Sequence, residues 1–153
     1  MLDDRDRRIL SWLQRDANMP LADLAERVAL SASACSRRIT RLKEEGYIQR
    51  SVAVLDRQKM HVAATVYVMI KTARHTADWL ETFRDTLSGI GEIVEAHRLA
   101  GNVDYILKVV VRDIAHYDAI YKRLVSRVDL FDVSAYISME TLKDDPAIPT
   151  GIV

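Results

Sequence analysis

"PLADLAERVALSASACSRRITRLKEEG", Pro20–Gly46, holds two helical patterns joined by a short turn, and the second changes from small and hydroxylated to basic. Pro20 suits the first turn of a helix in which Leu21, Leu24, Ala25 and Val28 follow the i, i+3, i+4, i+7 spacing of one buried stripe. Ser31 is an N-cap for the next helix, which runs to a stop at Gly46, the usual residue just past a helix end. At about 100° per residue, Cys35, Ile39 and Leu42 fall together and face a bundle. Ser33, Arg37, Thr40 and Arg41 lie opposite, with Ser36 at their edge. Short hydroxylated side chains let a helix approach base edges closely, and arginines one turn on reach guanine edges or phosphates. The pattern is that of a recognition helix for the major groove of DNA. A merely solvated face mixes its charges, whereas this one has no acid before Glu44 and is followed by Arg50 and Arg57. Cys35 lies on the dry side with no histidine in the first sixty residues to activate it, so it reads as a small core residue rather than a nucleophile.

Upstream, Asp3 caps a helix reaching to about Asp16, with Ile9, Leu10 and Leu13 on one side. Three short helices then form one small bundle. Downstream, "YIQRSVAVLD" alternates, predicting a short strand or wing over Ile48–Leu55. "DRQKMH" is a polar connection. The boundary is placed near residue 60, giving a winged helix-turn-helix over 1–60 and a second domain over 61–153.

The second domain mixes strands and helices. "VAATVYVMIKT", Val62–Thr72, is β-branched and aromatic. Thr76 caps a helix in which Leu80, Phe83 and Leu87 share a face, closed by "SGIG". "EIVEAHRL" and "VDYILKVVV" flank a tight Ala100-Gly101-Asn102 turn and predict a hairpin. Asp113 caps "DIAHYDAIYKRLVSRV", and "LFDVSAYISMETL" closes the domain as a strand. The order β-α-β-β-α-β is that of a ferredoxin-like sandwich, so the fold class is α+β. One face of such a sheet is left to be covered, most economically by a second copy of the chain, which predicts a homodimer.

Composition limits the alternatives. Of 153 residues, 49% are hydrophobic and 29% charged, which is ordinary for a globular protein. No apolar run approaches the ~20 residues that span a bilayer, and "MLDDRDRR" lacks the apolar core of a signal peptide, so a cytoplasmic location is expected. The net charge of zero divides unevenly: residues 1–60 carry 12 − 9 = +3 and residues 61–153 carry 10 − 13 = −3. One cysteine excludes a multi-cysteine metal site. His61, His75, His97 and His116 are scattered without the spacing of ligand pairs, so no metal is expected. There is no phosphate-binding or dinucleotide glycine loop and no Gly-x-Ser-x-Gly. Asp104-Tyr105 has no nucleophile placed beside it, and the chain does not read as an enzyme.

"LDDRDRRILSWLQRDA", "LADLAERVALSASACSRRITRLKEEGYIQ", "VLDRQKM" and "LAGNVDYILKVVV" together resemble the Lrp/AsnC, or feast/famine, family of bacterial and archaeal transcription regulators, over essentially the whole chain. The resemblance implies an N-terminal winged helix-turn-helix, a C-terminal effector-binding and dimerising domain, and assembly of dimers into tetramers, octamers or higher forms. It also implies a small amino-acid effector bound between dimers, and no other cofactor. Carried over by position, the DNA-reading residues are Ser33, Ser36, Arg37, Thr40 and Arg41. The effector residues are Gly101, Asn102, Val103 and Asp104 in the hairpin turn, with Ser134, Tyr136 and Ser138 on the last strand. Such a site is chemically apt: an ammonium group needs an acceptor, and a glycine turn exposes N–H groups to a carboxylate. Three departures stand out. Ala29 occupies a turn where glycine or asparagine is usual, His61 stands where glycine is common, and "DDPAIP", Asp144–Pro149, replaces a threonine-rich approach. "IKTARHTADW" and "YDAIYKRLVSRVDLFDVS" resemble a branch with cysteine-responsive members, while branched-chain and other amino acids stay open as effectors. The competing readings are an oligomeric sensing module that no longer reads DNA, against which Arg37 and Arg41 argue, and a constitutive DNA-organising protein without effector control.

Overall fold

Local caps fix where the helices begin. In the computed structural model, which describes residues 1–151, α1 spans Asp4–Leu13, α2 Leu21–Arg27 and α3 Ala32–Glu44. Asp3 closes a capping box on α1: its carboxylate accepts from the Asp6 N–H at 2.8 Å while Asp6 accepts from the Asp3 N–H at 3.1 Å. Ser31 caps α3 by accepting from the Ala34 N–H. Ile9, Leu24, Ala25, Val28, Cys35 and Leu42 form one buried cluster under the three helices. Trp12 sits at its margin with the Arg27 guanidinium 4.4 Å from its ring centroid.

The α2–α3 turn is strained as the sequence implies. Ala29 has φ 54°, a left-handed conformation that opposes its Cβ to the backbone. His61 has φ 55° in the same region, so both non-glycine departures keep the conformation that glycine would adopt freely. Gly46, with φ 80°, ends α3 as expected.

Residues 48–55 correct one expectation, because they form no strand. Alternation alone does not make a strand without a ladder partner, and Val52 and Val54 are left exposed. Contacts divide the chain into one unit of 1–54 with 143–151 and another of 55–142. The expected boundary near 60 thus sits past the division, and the last residues group with the first unit.

The second unit is the βαββαβ sandwich. Its elements are β1 Ala64–Lys71, α4 Ala77–Ser88, β2 Ile93–Arg98, β3 Tyr105–Val111, α5 Ile114–Val125 and β4 Asp132–Ile137. The sheet order is β2-β3-β1-β4, antiparallel throughout. Val66, Val68 and Ile70 of β1 and Leu107, Val109 and Val111 of β3 point to one face and pack with Phe83, Ile120 and Leu124 from the two helices. Trp79, Phe83 and Tyr105 form an aromatic cluster with centroids 4.9–5.7 Å apart. The alternate residues Tyr67, Met69, Ile106, Val110 and Tyr136 line the other face, which carries no helix. Arg57 pins the approach to β1, donating to the carbonyls of Val62, Ala63 and Ala64 and to Thr65 Oγ1.

Candidate nucleic-acid interface and effector site

The orientation of α3 depends on two arginines that are neighbours on its wheel, one turn apart. Arg38 Nη1 donates to Asp6 Oδ1 at 2.8 Å and to Asp3 Oδ2 at 2.6 Å, and Arg41 Nη2 donates to Asp6 Oδ2 at 2.5 Å. Asp6 is fully buried. Burial alone would raise its pKa, but hydrogen bonds from Arg38, the Asp3 N–H and Arg41 outweigh that and hold the carboxyl below its ordinary value. Asp3 is held at about 2 by the Asp6 N–H and by Arg38. The first helix therefore grips the third by its charged side as well as its apolar one.

Ser33, Ser36, Arg37 and Thr40 are exposed along one side of α3. Arg37 has no ion-pair or hydrogen-bond partner among the described residues. Arg41 departs from this group: it lies at the edge of the stripe next to Arg38, where the buried Asp6 carboxylate claims it, and Glu45 stands 3.9 Å from its Nε. Lys43, on the exposed side one turn on, is a cation that the wheel reading passed over. Its signal was the i, i+3 spacing from Thr40. Cys35 is buried against the bundle and burial raises its thiol pKa, which leaves it inert.

The candidate effector residues do not gather at one point in a single protomer. Gly101 adopts φ 140°, open to glycine alone, and the turn is closed by the Leu99 N–H donating to the Asp104 carbonyl at 2.8 Å. Asp104 caps the end of β1: its N–H donates to the Ile70 carbonyl, and its Oδ2 accepts from the Thr72 N–H at 2.8 Å. Its other carboxylate oxygen has no partner among the described residues. Asn102 is exposed and Val103 half-buried beside it. Ser134 lies opposite Met69 at this end of the sheet, on the helix-free face, and Tyr136 lies opposite Tyr67 further along. Ser138, whose N–H donates to the Thr65 carbonyl, is at the far end, about 13 Å from Ser134 along the strand. A further feature at the turn's end of the sheet escaped the sequence reading. It is an open cleft of about 310 Å³ lined by Tyr121, Val125, Leu130, Phe131 and Val133, with Asp129 and Asp132 at its rim. Only the fold brings α5 against the start of β4, although the exposed Phe131 between two aspartates was a visible sign.

Among the described residues no group of three His, Cys, Asp or Glu is placed to hold a metal, and no helix is long and apolar enough to cross a membrane.

Residues 2–49 match the winged helix-turn-helix DNA-binding profile and residues 65–148 match the Lrp/AsnC ligand binding domain. The HTH-type transcriptional regulator Zrp of Zymomonas mobilis is 55% identical over 153 residues, covering 100% of both chains. A crystal structure of an AsnC family transcriptional regulator from Agrobacterium tumefaciens superposes with a TM-score of 0.95 at 44% identity, covering 99% of each chain. A transcriptional regulator of Neisseria meningitidis in complex with L-Met superposes with a TM-score of 0.93 at 25% identity, covering 97% of each.

Proposed function

The chain belongs to the Lrp/AsnC family of DNA-binding transcription regulators, which are not enzymes, and from that premise we propose how it reads DNA and what adjusts the reading. The exposed side of α3 enters the major groove, Ser33 and Ser36 allow close approach, and Arg37, Thr40 and Lys43 meet base edges or phosphates. One observation carries this reading: of the arginines on α3, Arg38 and Arg41 are tied to Asp6 while Arg37 faces solvent without a partner among the described residues.

The helix-free sheet face, with Tyr67, Met69, Ile106, Val110 and Tyr136, pairs with that of a second copy. The dimer sets the separation of two recognition helices, so the operator is a rough palindrome with half-sites in successive major grooves. Dimers assemble further, and a small amino acid binds at the Gly101–Asp104 turn. The free Asp104 oxygen receives its ammonium group, and exposed turn N–H groups receive its carboxylate. Ser138 lies far from the turn within one protomer, so it contributes to that ligand only from a neighbouring copy, whereas Ser134 stands at the turn's end of its own sheet with Tyr136 further along. No other cofactor is called for, and the protein works on the chromosome in the cytoplasm.

The test is a fluorescence anisotropy titration of the purified protein into its own upstream DNA at two salt concentrations, with and without a mixture of the twenty amino acids. The reading expects tight, salt-sensitive binding that the mixture shifts, and subdividing the mixture then names the effector, cysteine included. Binding that ignores the mixture rejects effector control. Failure to bind this or unrelated DNA rejects the DNA-reading role.

A further inference from the structure

We propose that the C-terminal segment is a strap that carries changes at β4 to the DNA-reading unit through Gln14, a role that rests on the effector reading above. Gln14 is the C-cap of α1. Its carboxamide meets the backbone of Ile148 at two points: Nε2 donates to the carbonyl at 3.1 Å, and Oε1 accepts from the N–H at 2.7 Å. One side chain thus offers the pairing that a neighbouring strand would offer, and it engages the main chain while the Ile148 side chain stays 71% exposed.

The segment is built for this seat. Pro146 and Pro149 bracket Ala147 and Ile148, fixing φ at both ends, and Pro149 biases Ile148 toward extended backbone. The Ala147 N–H is taken by Asp145 Oδ1 at 3.0 Å, and neither proline has an N–H, so the Ile148 N–H is the donor left for a partner. A segment stiffened in this way loses little entropy on seating, which lets two hydrogen bonds hold it.

Both ends of the strap lead to functional elements. At one end it continues from β4, which carries Ser134 and Tyr136. At the other it holds α1, whose Asp6 in turn holds α3 through Arg38 and Arg41. Two solvent-exposed hydrogen bonds are weak enough to open and close, as a coupling element must. A ligand acts through the strap only by preferring its seated or its released state.

Gln14→Ala tests the proposal, because the side chain is exposed and alanine is tolerated at the end of α1. Amide exchange read by NMR tests the seat without any effector: the Ile148 N–H should exchange about tenfold faster in the variant. DNA titration tests the coupling. Without amino acids the variant should bind within about twofold of the unaltered protein, while a response to the amino-acid mixture of about fivefold or more should shrink to under about twofold. Unchanged exchange at Ile148 overturns the seat, and an undiminished response overturns the coupling. If the unaltered protein ignores all amino acids, the effector reading fails and the coupling with it, whereas the exchange measurement still decides the seat.

Discussion

The Arg38 guanidinium lies 2.8 Å from the carboxylate of Asp6, a group fully buried at the first turn of another helix. Asp6 answers three demands together: it closes the α1 capping box with Asp3, satisfies the dipole at that helix's N-terminus and fixes α3 through two arginines. A buried carboxylate is tolerable only because each of its oxygens is matched by a cationic donor.

Replacing Asp6 by asparagine should therefore cost about 3 kcal/mol of stability, toward the low end for a broken buried pair because Arg38 and Arg41 can regain water. Urea unfolding checks this, with Asp4→Asn as the control. Asp4 is 94% exposed in its pair with Arg7, so its loss should stay within about 0.5 kcal/mol.

Acid should loosen the first unit. The Asp3 carboxyl titrates at about 2 in the folded protein against an ordinary 3.8, and Asp6 is shifted in the same direction. A carboxyl with a lowered folded pKa contributes stability that is fully present above its unfolded value and is lost as pH falls through the folded one. The cluster's contribution should hold above about pH 5 and disappear between pH 3.8 and about 2. The indole N–H signals of Trp12 and Trp79 report the two units separately, and the Trp12 signal should follow this loss in unmodified protein but lose part of the dependence in Asp3→Asn.

The turn before α3 carries removable strain. Ala29→Gly should raise stability by roughly 1 kcal/mol, since φ 54° costs an alanine but not a glycine. A thermal melt reads the change, and a loss of stability would mean that the Ala29 methyl contributes packing that outweighs the strain.

Much of this architecture was legible in the chain. Asp3, Ser31, Thr76 and Asp113 each cap the helix that the sequence places after them, because capping is local and needs only a side-chain oxygen near a few N–H groups. The βαββαβ order followed from strand composition and the Gly101 turn. Three features were not legible, each depending on contacts distant in sequence. Residues 48–55 alternate like a strand but have no ladder partner. Arg41 faces outward on an isolated wheel until Asp6, 35 positions away, draws it in. The Gln14–Ile148 contact joins residues 134 positions apart and leaves no local trace beyond the two prolines.

The salt dependence of DNA affinity for Arg37→Ala, measured beside the unaltered protein, decides whether the exposed side of α3 reads DNA. If the exposed side of α3 reads DNA, the variant should lose roughly 1–3 kcal/mol of specific binding when Arg37 meets a base, or have a shallower salt slope by about one when it meets a phosphate. Affinity and slope both unchanged would contradict the assignment of this face.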